Sequence, residues 1–542
     1  MDLVDSEALE LKQEEDEVVS YWQKFVPGLV SLQQSTASAV TTTTQPDGSA
    51  TGHKLLVEPS VFNITSLLPP SISFLKRLRE LIPPGSDIVV STLSSFLNDF
   101  LTNVFHPQLE ETLIEMCLQS YVQHDAFQED PEWARYSQNP IFKGSIAFVE
   151  VVSAFCQMLD ELTHDQLFSQ LVIKQMHAYH DKCVSWYRIM VTRAQARSPD
   201  GSNATSLKAS AQLAHDPSLT TALGQIWTAP IDDRRMPTME EARLLITKSS
   251  DSALDDFDLI SDTRTQHALC LLYSSMRWTA SKLNNLRYIS PRANEDIHNG
   301  IDSDTEERPQ LKRSLTRALA VNDSRNGSEP VHLPLSASTA AIFDGIVTGF
   351  RELSETTLRT LRLEMRLQLI QGLRESFSGS LIYPFPPIVS ATPNGSTTAV
   401  DSTTDSPDEA LLSILTNIVA FDTTLATLLQ ANEHTKITAD ISTTVDAALV
   451  HIMSQTERLK ALNAPAASHL LTNVRVLQHN LLNIEPTSNV PRARAFLELF
   501  LQGSGAIAAE MEAVGQNRSG LDREELGALL RLCHSGKAGS NK

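Results

Sequence analysis

Scarcities narrow the chemistry first. Only 6% of the 542 residues are aromatic, and Leu and Ala dominate the apolar positions, a balance that leans towards helix. There are five cysteines, Cys117, Cys156, Cys183, Cys270 and Cys533, with no C-x-x-C pair among them. An odd number of thiols scattered through apolar segments reads as reduced, buried cysteines of a cytosolic protein. Basic residues are short as well: 44 Lys and Arg face 65 Asp and Glu, for a formal net charge of −21 and a pI near 5.1. Nucleic-acid binding needs a clustered basic face, so no nucleic acid is expected as a partner. There is no apolar run of about 18 residues to span a bilayer. The opening MDLVDSEALELKQEEDE is acidic where a signal or transit peptide would be basic.

Strand signals are equally thin. DIVVS (87–91) is the best β-branched run, and it leads straight into a helical pattern. Strand–helix alternation and internal repeats of fixed period are both missing.

Four stretches rich in Ser, Thr, Pro, Gly and Asp have no apolar periodicity: 34–52, 196–210, 290–310 and 384–408. Such segments cannot bury enough surface to offset their ordering entropy, so they read as linkers or long loops. Between them the period is helical. In STLSSFLNDFLTNVF the residues Leu93, Phe96, Leu97, Phe100, Leu101 and Val104 share one face. A second stripe runs through Phe343, Ile346, Val347, Phe350, Leu353, Leu358, Leu361 and Met365, with Gly and Pro nearly absent until Gly372. Two capping boxes are expected, one at Ser406 with Pro407 and Glu409, the other at Thr238 with Glu241.

The expected fold is all-α: successive antiparallel helical bundles stacked into an elongated rod. The linkers divide it into 1–52 (acidic helical segment and Ser/Thr-rich linker), 53–195 (helical bundle), 196–335 (helices with two flexible linkers) and 336–383 (long helix). Then follow 384–408 (linker), 409–536 (C-terminal helical bundle) and 537–542 (tail).

Chemistry-bearing clusters fail one by one. KQMHAYHDKCVSWY (174–187) brings His177, His180, Asp181 and Cys183 close in sequence. At about 100° per residue, Val172, Met176, Tyr179, Cys183, Trp186 and Met190 form an apolar stripe. Cys183 then lies roughly 160° from Asp181, and the two cannot meet at one ion. His177, His180 and Asp181 share a side, but a metal site there needs ligands from another helix. GSGAIA (503–508) matches a loose dinucleotide fingerprint, yet it follows the helical pattern RARAFLELFLQ rather than a strand, so it reads as a helix end followed by a second helix. IDSDTEERPQLKR (301–313) starts like a calcium loop but has Glu307 at the glycine position and Arg313 at the bidentate one. P-loop and G-x-S-x-G sequences are missing. No catalytic, cofactor or metal residue is therefore assigned. Arg359, Arg362 and Arg366 fall on one side of the long helix and are the candidate interaction face, for an acidic partner helix or acidic lipid, against the plainer reading of a solvated face shared with Glu352, Glu355 and Glu364. On the interaction-face reading Arg362→Glu leaves folding intact and weakens one contact. KRSLTR (312–317) is a weak phosphorylation signal.

Several ordered segments resemble the C-terminal part of the exocyst subunit family Sec-eight (exocyst complex component four) in its fungal form. They are IPPGSDIVVSTLSSFLNDFLTNVFHPQLEETLIEMC (82–117), NPIFKGSIAFVEVVSAFCQMLDELTHDQLFSQLVIKQMHAYHDKCVSWY (139–187), DLISDTRTQHALCLLYSSMRWTASKL (258–283), FDGIVTGFRELSETTLRTLRLEMRLQLI (343–370) and NVRVLQHNLLNIE (473–485). The likeness extends over most of 53–536, and the long N-terminal coiled-coil region of family members is not part of it. It implies a non-catalytic subunit that holds secretory vesicles at the plasma membrane before fusion. It also implies partners among Sec-six, Sec-five, Sec-three, Sec-ten, Sec-fifteen, Exo-seventy and Exo-eighty-four. The implied location is cytoplasmic and peripheral at sites of exocytosis: bud, hyphal tip or septum. Two other readings stay open: a helical subunit of a Golgi or endosomal tether, and a helical metal-dependent enzyme built on His177, His180 and Asp181.

Overall fold

The structure is a computed structural model that describes residues 101–159, 165–193, 206–230, 233–251, 254–289, 331–380, 407–455, 464–512 and 519–539, with scattered positions elsewhere. Linkers 34–52 and 290–310, the bulk of 196–210 and 384–408, DIVVS, the calcium-like loop and KRSLTR lie outside the described residues.

Helix dominates the described residues, as the Leu- and Ala-rich stripes require. A π-helical turn (Leu101–Phe105) opens into α1 (His106–Val122), followed by α2 (Lys143–Leu159), α3 (Asp165–Val191), α4 (Ala209–Ala214), α5 (Pro217–Thr228) and α6 (Arg235–Asp251). Next come α7 (Thr263–Asn285), the strands β1 (Arg287–Ile289) and β2 (Leu333–Leu335), and the long α8 (Ala337–Ser380). The remainder is α9 (Glu409–Leu428), α10 (Ala431–Thr438), α11 (Ile441–Ser454), α12 (Ala464–Leu481), α13 (Pro491–Gln502), α14 (Ser504–Glu512) and α15 (Arg523–Gly539). The two short strands pair in parallel, Arg287 opposite Leu333 and Ile289 opposite Leu335. The fold class is all-α.

Two compact units share the chain. One takes its described residues from Met1–Pro131, Ile141–Cys183 and Met276–Arg351, the other from Glu132–Pro140, Val184–Ser275 and Glu352–Lys542. Both are discontinuous in sequence, and three of their five boundaries fall inside α3, α7 and α8.

In the first unit α1 and α2 pack on α3 around Leu109, Leu113, Cys117, Phe148 and Tyr179, all buried. The Phe105 and Phe168 rings meet edge-on at 5.8 Å, and Phe148 stacks on Tyr179 at 4.2 Å. The expected stripe ending at Val104 divides here: Leu101 is buried, whereas Phe96 and Val104 are exposed. Where α2 begins, the chain passes so close to the end of α1 that a side chain has no room. A Cβ on Gly144 would lie 2.7 Å from the Ser120 carbonyl oxygen and 2.8 Å from that of Ala126. Neither backbone atom can swing aside, and the Gly144 N–H already donates to the Ala126 carbonyl at 2.9 Å. Gly144→Ala is therefore expected to destabilise this unit by about 1–3 kcal/mol, read as a lower midpoint in urea unfolding.

In the second unit, every residue of the long-helix stripe from Leu353 to Met365 is buried, as the period predicts. The N-terminal signals fare less well. Helix α9 starts at Glu409 with Asp408 as its N-cap and no side-chain cap bond, and Ser406 of the expected box lies outside the described residues. Thr238 lies inside α6, where its hydroxyl donates to the Arg234 carbonyl at 2.8 Å, and Glu241 is committed elsewhere. One further correction concerns length and polarity. Helix α9, 20 residues with a mean hydropathy of 1.6, is long and apolar enough to cross a membrane by length and composition. Within the unit, however, it behaves as an amphipathic core helix. Leu411, Leu415, Ile418, Phe421, Leu425 and Leu428 form its buried stripe. On the exposed side, the Thr416, Thr423 and Thr424 hydroxyls return to carbonyls four residues earlier.

Candidate functional site: a buried arginine pair beneath an acidic groove

The two arginines expected on an interaction face are instead inside the second unit. Arg362 and Arg366 are fully buried, with 0% of either side chain exposed; only Arg359 keeps partial contact with solvent. This corrects the interaction-face assignment. A guanidinium is buried at tolerable cost where its charge is paired and most of its donors are met, and the fold supplies both. Arg362 makes a two-pronged pair with Glu241 of α6, Nε to Oε1 at 2.8 Å and Nη2 to Oε2 at 2.6 Å. Its Nη1 donates to the carbonyls of Lys436 and Ala439 at 2.6 and 3.3 Å. One turn on, Arg366 places Nε 3.2 Å from Glu241 Oε1 and donates to the carbonyls of Ile437 and Ala439, each at 2.7 Å.

Those carbonyls are the unpaired ones at the C-terminus of α10, where the helix dipole is negative and cations are favoured. The pair therefore ties α8 to α6 by charge and to the end of α10 by backbone capping. Burial alone would raise the Glu241 carboxyl, but the two guanidiniums beside it and the Arg362 hydrogen bonds hold it below its ordinary value. Arg366 is pushed down to about 10, by burial and by the charge of Arg362, with Glu241, Asp440 and Glu485 opposing. Glu364, expected on a solvated face with Glu352 and Glu355, is also buried. It accepts the Ile260 N–H at 2.6 Å and a Gln368 amide proton at 2.9 Å. Burial raises its carboxyl despite the hydrogen bonds from Gln368 and Ile260. Glu352 and Glu355 remain exposed.

On the far side of α6 lies a cavity of about 960 Å³, walled by α6, α11, the turn before α13 and the start of α15. The helix shows it Met236, Met239, Glu240, Arg243 and Thr247, a single face at helical spacing. Glu241 and Leu245 take the buried face. The opposite wall gathers helix N-termini, each held by a carboxylate. Glu485 accepts the N–H groups of Asp440 and Ser442, both at 3.0 Å, around the start of α11. Asp446 accepts those of Arg492 and Ala493 at 3.3 and 2.8 Å at the start of α13. Asp522 and Glu525 form a reciprocal capping box on α15, at 2.8 Å each way. Asp440 itself adopts a left-handed conformation (φ 62°), the turn that lets α10 end on the arginines and α11 begin at once. In all, six carboxylates and three arginines line the groove. Sequence reasoning did not single out these residues. Only the box D-R-E-E at 522–525 carried a local signal.

The remaining clusters are settled by position. His177 Nδ1 is 2.9 Å from Asp181 on an exposed side of α3, and His180 Nδ1 is 3.7 Å from it. Cys183 is fully buried on the other side, and burial pushes its thiol up. The stripe shifts by one residue at its end, through Tyr187 and Val191 instead of Trp186 and Met190. Among the described residues no three His, Cys, Asp or Glu side chains are grouped to hold a metal ion. The five cysteines are all buried, and none is in a disulfide. GSGAIA is a helix junction: Gly503, at φ 93°, ends α13 by donating to the carbonyls of Leu499 and Phe500, and Ser504 starts α14.

The sequence is similar to those of known proteins. The family model described as "Exocyst complex component Sec8 C-terminal" matches residues 1–72. A probable exocyst complex component sec8 of Neurospora crassa is 35% identical over 461 residues, 84% of this chain and 39% of that relative. Over most of its length the chain is similar to Sec8 exocyst components. The exocyst complex component sec8 of Schizosaccharomyces pombe is 31% identical over 99 residues, 18% of this chain and 9% of its own length. The Sec8 match takes in the acidic opening segment, which the resemblance read from residue 53 onward had left out. The chain spans well under half the length of the Sec8 relatives it matches.

Proposed function

We propose that the chain works as a non-catalytic subunit of the exocyst, holding secretory vesicles at the plasma membrane before fusion. The observation that carries this reading is the 35% identity to a Neurospora exocyst component across 84% of the chain. The all-helical fold supports it, because helical bundles present long side-chain faces on which other helices dock. Its partners on this reading are the other exocyst subunits: Sec-six, Sec-five, Sec-three, Sec-ten, Sec-fifteen, Exo-seventy and Exo-eighty-four. It sits in the cytoplasm, peripheral to the plasma membrane at buds, hyphal tips or septa, and takes neither nucleic acid nor cofactor. The division of labour along the chain is that of its helical segments.

Affinity purification of the tagged, full-length protein from native cytosol tests this. Other exocyst subunits should co-purify in near-stoichiometric amounts. Recovery of Golgi or endosomal tether subunits in their place, or of the chain alone, would overturn the proposal.

A further inference from the structure

The 960 Å³ groove is too large and too charged to be a packing fault. Its volume falls at the top of the range for binding clefts, whereas voids in a close-packed interior seldom exceed a water molecule. Its two exposed methionines face it from one helix: Met236 is 74% exposed and Met239 40%, two apolar side chains side by side on one face rather than scattered singly. Methionine is unbranched and polarisable, suited to gripping apolar side chains of varied shape. Around that apolar strip the charge is uneven. Carboxylates outnumber arginines two to one, and two of the three arginines are already engaged, Arg243 with Glu240 at 2.6 Å and Arg492 with Glu525 at 2.5 Å. Asp440, Asp446, Glu485 and Asp522 lie outside those ion pairs and accept only neutral backbone N–H or hydroxyl donors, so their charge is not cancelled by a cation in contact, with Arg235 at the rim and Arg366 behind the wall as partial counterweights.

We infer that this groove is a docking site for a basic amphipathic helix of a partner protein. In that arrangement an apolar side chain seats on Met236 and Met239, and Lys or Arg on the neighbouring turns faces the carboxylate wall. The charge complementarity selects such an occupant over an acidic one, and the methionine strip selects an amphipathic segment over a purely basic one. An anionic lipid surface is disfavoured by the same excess of carboxylates. The site deepens the reading of the chain as a subunit of a larger assembly and rests on it, but the site itself can be measured without that assembly.

The test is fluorescence anisotropy of the full chain with three labelled helical peptides of roughly 18 residues, built from Leu and Lys, from Leu and Glu, and from Ser and Lys. The Leu–Lys peptide should bind at least about tenfold more tightly than the other two. The double variant Met236→Ser, Met239→Ser and the single variant Glu240→Lys should each weaken it about tenfold. All three residues are exposed, so the fold should survive, which circular dichroism checks. Glu150→Lys, the same charge change on an exposed residue of the other unit, should leave binding unchanged. Equal weakening by Glu150→Lys would show attraction to net charge alone and overturn the inference. So would a Ser–Lys or Leu–Glu peptide that binds as well as the Leu–Lys one, or groove variants with no effect. Failure of the exocyst purification with intact peptide binding would instead strike at the proposed assembly and leave the groove standing.

Discussion

Arg362→Ala is expected to destabilise the second unit by about 3–5 kcal/mol, the cost typical of breaking a buried ion pair by removing one partner. The magnitude follows from what is left behind. Glu241, fully buried, loses its two-pronged partner and keeps only Arg366 at 3.2 Å. The carbonyl of Lys436 loses its 2.6 Å donor at the C-terminus of α10. A cavity opens as well where one of the largest fully buried side chains stood. Urea unfolding followed by circular dichroism reads the loss as a lowered midpoint. Arg362→Glu, fold-neutral if the residue were on a surface, should be worse, because it sets a second carboxylate against Glu241 inside the protein. The triple change Glu241→Leu, Arg362→Met, Arg366→Met should recover much of the deficit, since no buried charge is then left unpaired. A surface-like response to Arg362→Ala, under about 0.5 kcal/mol, would refute the buried pair.

The second large effect belongs to the first unit. Tyr179→Ala should cost about 3–5 kcal/mol, as truncation of a fully buried aromatic does. The ring stacks on Phe148 at 4.2 Å, meets Tyr121 at 5.7 Å and Phe350 at 6.0 Å, and its hydroxyl shares a 2.8 Å hydrogen bond with Ser145. Tyr179→Phe separates the two contributions. It keeps the ring and should cost about 1 kcal/mol, the worth of one hydrogen bond. Trp186→Ala, seven residues on and half-buried, should cost distinctly less than Tyr179→Ala. Comparable losses for Tyr179→Ala and Trp186→Ala would mean that the buried face of α3 is misassigned.

Helical period made much of this fold readable from sequence. The Phe343-to-Met365 stripe is buried throughout, and the geometry that separated Cys183 from Asp181 holds in three dimensions. The period failed where a polar residue sat on a buried face. Arg362, Arg366 and Glu364 look like solvated charges in a window of sequence, because their partners Glu241, Ile437, Ala439 and Ile260 lie 71 to 121 residues away. No local rule reports a partner at that separation. The groove was hidden for the same reason, since its walls come from α6, α11, α13 and α15. Capping signals were read at the right places but with the wrong roles. Thr238 and Glu241 have box spacing, yet tertiary pairing with Arg362 claims the glutamate. Three of the boundaries between the two units fall within continuous helices, where composition does not change.

The central claim, a helical subunit working through contacts inside the exocyst, is tested most directly by lysine crosslinking and mass spectrometry of the complex purified around this chain. The account predicts reproducible crosslinks from exposed lysines such as Lys143 and Lys174 to other exocyst subunits. Crosslinks confined to the chain itself, or running only to subunits of another tether, would contradict it.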